Sequence, residues 1–342
     1  MASRRPGGGP TMHDVAAAAA VSHQTVSRVV NQQPSVRPET RQKVLAEIER
    51  LGYRRNRAAR TLVTRRSRTI GVLAPEVTQY GATSSVQAVE ASARAAGYFA
   101  LSTTAAVDRA STLAALDLLL DQGVDGLVVI APHPEIEAAV SQRRVELPVV
   151  ALQSVSAGRA EWVGVDQQLG ARLVCEYLLQ LGHRRVAHVS GPPGYFESDA
   201  RRRGWAEALT AAGLEPATVV AGDWTAERGH AAAAELPPDV TAVFCANDQT
   251  ALGVLAGLRE AGRRVPEDVS VAGFDDLPES AFAAPPLTTV RQDFRQVGER
   301  AVARLLARLD GAAAGDDTVL RPELVVRRST GPVRVEDLHP TG

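Results

Sequence analysis

From Thr69 to Phe274 the chain alternates between short apolar runs and segments whose apolar positions recur at helical spacing. The runs are TIGVLA, YFALST, DGLVVIA, LPVVALQ, RRVAHVS, TAVFCA and VSVAGF. Between them lie segments such as ATSSVQAVEASARAAG, DQQLGARLVCEYLLQLG and NDQTALGVLAGLREAG. Strands without polar alternation, separated by helices, predict parallel sheets covered on both faces. The stretch is long enough for two such sheets. The expected body is therefore α/β, with two doubly wound lobes. Ligands of such folds bind beyond the carboxyl ends of the strands, here in a cleft between the lobes.

The first part of the chain has a different period. Thr11-x-x-Asp14 reads as a capping box that starts a helix over MHDVAAAAA. After a short turn at Ala19–Val21, Ser22 can cap a second helix that runs through Asn31. Val26, Val29 and Val30 form its back. His23, Gln24, Ser27, Arg28 and Asn31 form a polar front. A third helix starts near Pro38, a favoured first-turn position. It is expected to turn Val44, Leu45, Ile48 and Leu51 inward and to stop at Gly52. Two short helices joined by a tight turn and closed by a third make an all-α helix-turn-helix head over 11–55. The polar front suits the major groove of double-stranded DNA. Gln24 can bond adenine bidentately and Arg28 suits guanine. His23 is placed to read a base or to pack on a thymine methyl. Ser22, Thr25 and Asn31 are better placed for phosphates.

Charge sharpens this division. Up to Arg68 there are 14 basic and 4 acidic residues, and after it 24 basic and 35 acidic. A basic, helix-patterned head on an acidic body points to a polyanion-binding module carried by something else. The two cysteines, Cys175 and Cys245, sit in apolar-periodic segments and read as buried thiols, consistent with a reducing cytoplasm. The start, MASRRPGGGPTMHD, lacks the apolar core of a signal peptide. No apolar run approaches the 18 or so residues of a membrane span. The expected location is cytoplasmic, on the nucleoid.

The sequence TMHDVAAAAAVSHQTVSRVVN resembles the head signature of the LacI family of bacterial regulators, and Thr11 and Ser27 join the expected DNA-facing set on that basis. The family usually has Gly where Ala20 stands. GPPGYFESDARRRGW, AGDW, ANDQTALG, VAGFDD and PPLTTVRQDF resemble the family's body, so the likeness spans nearly the whole chain. It implies two lobes of the periplasmic-binding-protein type. The chain is expected to cross between them near Val165–Asp166, Val290–Arg291 and Arg321. That gives an N-lobe over 68–165 and 292–321 and a C-lobe over 166–290 and 322–333. The short NRAARTLVTRRSR stretch then corresponds to a hinge helix over 56–67. There Asn56 can cap, Ala59, Leu62 and Val63 share one side, Asn56 and Ala59 join the expected DNA-binding set, and Leu62 wedges between central base pairs in the minor groove. A disordered N-terminus over 1–10 and a tail over 334–342 flank these domains. The tail, RVEDLHPTG, carries no heptads, so a homodimer without a tetramerising tail is expected.

Arg201, Asn247 and Asp275 fall at strand ends or early in helices, where a guanidinium, an amide and a carboxylate suit adjacent hydroxyls. Trp224 and Phe294 offer ring faces to a sugar. The resemblance places all five at sugar-contacting positions. Asp248 reads as a helix cap. Gln153 stands where the resemblance suggests Asp, Val165 replaces an aromatic, and VTQYGATSS is unusually polar. Gln79, Tyr80, Ser84 and Gln153 are therefore the candidates for tuning specificity.

Enzyme motifs are missing: no G-x-G-x-x-G follows a strand, and there is no Walker A or G-x-S-x-G sequence. The seven histidines show no metal spacing, and His183 and His188 read as structural. No cofactor or metal is expected. One head reads only a few base pairs, so two heads on a pseudopalindromic operator are expected. The resulting expectation is a transcriptional repressor whose operator affinity falls when a small sugar or glycoside, such as a galactoside, binds between the lobes. The alternatives are a corepressor-dependent repressor, for example one using a purine, and a sugar-binding protein without a regulatory role.

Overall fold

The computed structural model describes residues 10–30, 33–53, 66–76, 79–143, 145–152, 161–313, 315 and 318–333. Residues 1–9, Asn31, the expected hinge residues Asn56, Ala59 and Leu62, the pocket candidate Gln153 and the 334–342 tail lie outside the described residues. The chain forms two compact units, 1–67 and 68–342.

The head unit contains α1 (Met12–Ala18), α2 (His23–Val30) and α3 (Pro38–Leu51). Thr11 and Asp14 form the capping box, with Asp14 accepting from the Thr11 backbone N–H at 2.8 Å. The Ser22 hydroxyl accepts from the Thr25 N–H at 3.1 Å and so starts α2. Gly52, at φ 63°, ends α3 in the left-handed conformation favoured there. The small core is Val15, Ala16, Ala19, Val26, Val29 and Val44, with Val30, Ile48 and Leu51 partly buried against it. One expectation is corrected. Leu45 is 49% exposed. The inward row of α3 is Val44, Ile48 and Leu51, and Leu45 lies about 100° around the helix from Val44.

The body has two parallel sheets. The first contains β1 (Thr69–Pro75), β2 (Phe99–Ala105), β3 (Gly126–Ile130), β4 (Val149–Leu152), β5 (Glu161–Val165) and β11 (Val319–Leu320). Its order is β11-β5-β4-β3-β1-β2. The helices α4 (Tyr80–Ala95), α5 (Arg109–Asp121), α6 (Pro134–Arg143) and α11 (Phe294–Leu309) serve this sheet. α4 and α11 share one core with it through Ile70, Val128, Val89 and Val302. The other face holds Leu73, Leu116, Leu127 and Ile136.

The second sheet contains β6 (Val186–Val189), β7 (Val219–Val220), β8 (Ala242–Cys245) and β9 (Ser270–Ala272), in the order β7-β6-β8-β9. α7 (Gln167–Gln180) and α8 (Phe196–Ala211) pack on one face around Trp205, Phe244 and Phe274. α9 (Ala226–Glu235) and α10 (Asp248–Glu260) cover the other. These last two helices approach closely because they meet at glycines. A Cβ on Gly253 would lie 1.9 Å from the Ala226 carbonyl oxygen, and one on Gly229 2.1 Å from that of Thr250.

The chain passes from the first sheet to the second after β5. It returns through β10 (Thr289–Arg291) into α11, then crosses again from β11 to β12 (Glu323–Val325). β10 and β12 pair antiparallel, so two of the three crossings lie side by side in a short ribbon. Cys175 and Cys245 are buried and free, and burial pushes both thiols up. Among the described residues, no helix is long and apolar enough to cross a membrane, and no group of three or more His, Cys, Asp or Glu could hold a metal ion.

Candidate functional sites: the head face and the interlobe cleft

On the head, α2 buries Val26 and Val29 and leaves Ser22, His23, Gln24 and Arg28 exposed, with Thr25 and Ser27 half-buried. Gln24 and Arg28 are four residues apart and therefore share one face. The His23 ring stacks on His13, with centroids 4.6 Å apart. His13 was not anticipated from the sequence. The Ser22 and Thr25 hydroxyls lie 2.9 Å apart at the helix start, and Thr11 is occupied by its capping box. The turn before α2 closes with the Val21 N–H donating to the Ala16 carbonyl, which puts Ala20 at φ 52°.

In the body, a cleft with about 790 Å³ of empty space, part of it open to solvent, runs between the two sheets. Gln79, Arg201, Trp224, Asn247, Asp275 and Phe294 all line it, as does Val165. The N-lobe contributes apolar wall from Ile130, Leu152, Val163 and Val297. Tyr80 does not line the cleft but packs edge-on against Phe294, with centroids 5.8 Å apart. Ser84 is corrected to its neighbour: Ser85 lines the cleft, and its hydroxyl donates to the Gly81 carbonyl at 2.8 Å.

The floor of the cleft is a closed ring of hydrogen bonds. Arg201 Nε donates to Gln167 Oε1 at 2.9 Å. Gln167 Nε2 donates to Gln292 Oε1 at 2.7 Å, and Gln292 Nε2 donates to Asp275 Oδ1 at 2.6 Å. Arg201 closes the ring on the same Asp275 oxygen at 3.4 Å. It also donates to the Ala246 carbonyl, and its guanidinium lies over the Phe274 ring, 3.8 Å from the centroid. All four ring members are less than 8% exposed. Burial pulls the Arg201 pKa down and pushes the Asp275 carboxyl up; each opposes the other's shift by its charge. Gln167 follows the first crossing and Gln292 the second, so the ring ties the crossover segments to the groups that face the cleft.

Asn247 holds a second corner. It is the N-cap of α10, accepting from the Thr250 N–H at 3.0 Å, and it donates to the Trp224 carbonyl at 3.0 Å. This corrects the reading of Asp248. Asp248 accepts from the Leu277 N–H at 2.8 Å and from the Ser280 hydroxyl at 2.6 Å, as well as from the Thr289 hydroxyl. It is a buried tie beneath the Asp275 turn, and burial pushes its carboxyl up to about 7. Trp224 has φ 74° and Asp275 φ 113°. Positive φ at a bulky or branched side chain costs free energy and is kept where surrounding contacts over-determine it. Gly191 helps to seat Trp224, because a Cβ there would lie 2.3 Å from the indole.

At one rim the lobes touch. The Phe196 N–H donates to the Pro132 carbonyl at 3.0 Å, and Tyr195 packs edge-on to both His133 and Trp224. Glu197, in the first turn of α8, also lines the cleft, and burial pushes its carboxyl up to about 7. Sequence reasoning missed Gln167, Gln292, Tyr195 and Glu197. Glu197 had a legible signal: it precedes Arg201 by four residues on one helix and so shares its face. The glutamines had none, since their partners are distant in the chain.

Comparison with known proteins agrees with this two-part architecture. Residues 11–56 match the bacterial regulatory proteins of the lacI family, and residues 175–330 match the periplasmic binding protein-like domain. The lactose operon repressor of Escherichia coli (strain K12) is 36% identical over 327 residues, covering 94% of this chain and 90% of that protein. The crystal structure of the lac repressor dimer bound to operator and the anti-inducer ONPF matches with a TM-score of 0.87 at 34% identity, covering 95% of this chain and 100% of that one. The complex of the transcriptional regulator CelR with cellobiose matches with a TM-score of 0.71 at 32% identity, covering 94% of this chain and 99% of that one. A helix-turn-helix head joined to a periplasmic-binding-protein-like body, with identity running through both, makes this chain a member of the LacI family of bacterial transcriptional regulators.

Proposed function

We propose that the protein is a dimeric repressor whose operator affinity is lowered by a small sugar or glycoside held in the interlobe cleft. The observation that carries this reading is the ring joining Arg201, Gln167, Gln292 and Asp275 beneath the cleft. A guanidinium and a carboxylate held rigid, with the Trp224 and Phe294 rings beside them, suit a polyol with one apolar face. The relatives support a family site for small ligands alongside operator binding, one being solved with operator and the anti-inducer ONPF and another with cellobiose.

In this reading Gln24 and Arg28 read base edges in the major groove, and Ser22 and Thr25 contact phosphates. The second head, on the symmetric half-site, comes from the partner subunit. A ligand gripped from both lobes favours their closure, and the ring carries that preference to the crossings. A tenfold loss of operator affinity requires only about 1.4 kcal/mol of such coupling.

The test is operator binding by fluorescence anisotropy, with palindromic DNA from beside the gene and a panel of galactosides, glucosides, other sugars and purines. One sugar should release the DNA, and Arg201→Ala should bind operator normally yet fail to respond. Tighter operator binding with any panel member would make the system corepressor-dependent and reverse the sign of the mechanism.

A further inference from the structure

Most polar groups of the cleft are already engaged with one another. Arg201, Gln167, Gln292 and Asp275 close their ring, Asn247 bonds Trp224 and Thr250, and Ser85 bonds Gly81. The Glu197 carboxylate is different. Among the described residues no other group donates a hydrogen bond to it, yet it lines the cleft. Asp275 already answers the charge of Arg201. Among the described residues these three are the charged side chains lining the cleft, so the described lining carries one net negative charge when the Glu197 carboxyl is ionised.

The position of that charge matters. Glu197 lies in the first turn of α8, a 16-residue helix, and Arg201 follows on the same face. A helix N-terminus with an arginine beside it would favour an anion from the ligand. Glu197 places the protein's own anion there. A carboxylate is an acceptor with two oxygens, so it can take hydrogen bonds from two adjacent ligand hydroxyls. A phosphate or carboxylate on the ligand would meet a like charge in a partly desolvated space.

Resting on the reading of the cleft as a sugar site, we infer that Glu197 selects the effector by charge: it accepts hydroxyls of a neutral glycoside and excludes phosphorylated or acidic sugars.

The experiment is calorimetric titration of the full-length protein at pH 8.5, where the Glu197 carboxyl is ionised, with matched probes. These are glucose and galactose, their 6-phosphates and their uronic acids, together with lactose and cellobiose. The native protein should bind a neutral sugar at least tenfold more tightly than its phosphorylated or acidic counterpart. In Glu197→Gln that ratio should shrink at least threefold, chiefly because the anionic sugar gains affinity. Glu197→Asp, which keeps the charge, should retain selection against anions. An anionic sugar binding the native protein as tightly as its neutral parent would overturn the inference, whether or not any variant folds. So would an unchanged ratio in a folded Glu197→Gln protein. If no sugar binds, neutral or charged, the sugar reading itself fails and takes this inference with it.

Discussion

Ala20 holds φ at 52° in the turn that aims α2. The turn has the hydrogen bond of a Schellman cap, from the Val21 N–H to the Ala16 carbonyl, and in such caps this position is usually Gly. A left-handed alanine costs roughly 1–2 kcal/mol. The extra freedom of Gly in the unfolded chain returns about 0.4–1 kcal/mol of that. Ala20→Gly should therefore stabilise the head by about 1 kcal/mol, measured by amide exchange at Val26 and Val44. A loss of stability would mean that the turn is not strained. The departure from the family's glycine was legible in the sequence, and the φ value gives it a physical consequence. Asn247 and Asp248 were harder to separate. Adjacent Asn and Asp are both good caps, and only the long-range partners Ser280 and Thr289 draw Asp248 away from that role.

At the scale of elements, apolar runs located seven strands, of which β3, β6, β8 and β9 are buried along their whole length, while the edge strand β2 is partly exposed. β5, in EWVGV, is too polar at its start to stand out, and β7 and β11 are two residues each. Those strands exist because neighbours offer a ladder, which no local pattern encodes. The β10–β12 ribbon was not anticipated for the same reason. β6 carries an unusual core residue. His188 is fully buried, stacked between Phe244 and Trp205, with Nδ1 bonded to the Phe244 carbonyl at 2.9 Å. Its Nε2 has no partner among the described residues. Burial lowers its pKa to about 4 from an ordinary 6.5; the Phe244 carbonyl opposes the shift, while Arg201 and Arg202 add to it. The folded state thus favours neutral imidazole. His188 leaves stability unaffected by pH above about 6.5, and stability falls as the pH drops from there toward 4. The full loss is about 3 kcal/mol. In His188→Leu, urea unfolding should show a shallower decline between pH 6.5 and 4.5 than in the native protein. Equal slopes would place the acid sensitivity elsewhere.

At the scale of the molecule, the basic head, the acidic body and the two-sheet architecture were all legible from period and charge, because each repeats over many residues. The ring beneath the cleft was not. Gln167 and Gln292 are 125 positions apart, and their bond forms only when both crossings are in place. This ring joins groups that line the cleft to the segments that cross between the sheets. In the proposed function, sugar and operator oppose one another through a shared equilibrium. Such coupling is reciprocal: the factor by which sugar weakens operator binding must equal the factor by which operator weakens sugar binding. The direct measurement is calorimetric titration of the releasing sugar into free repressor and into repressor saturated with operator. Sugar should bind more weakly in the operator complex, by the same factor found for operator release. Equal affinity in the two titrations would contradict it.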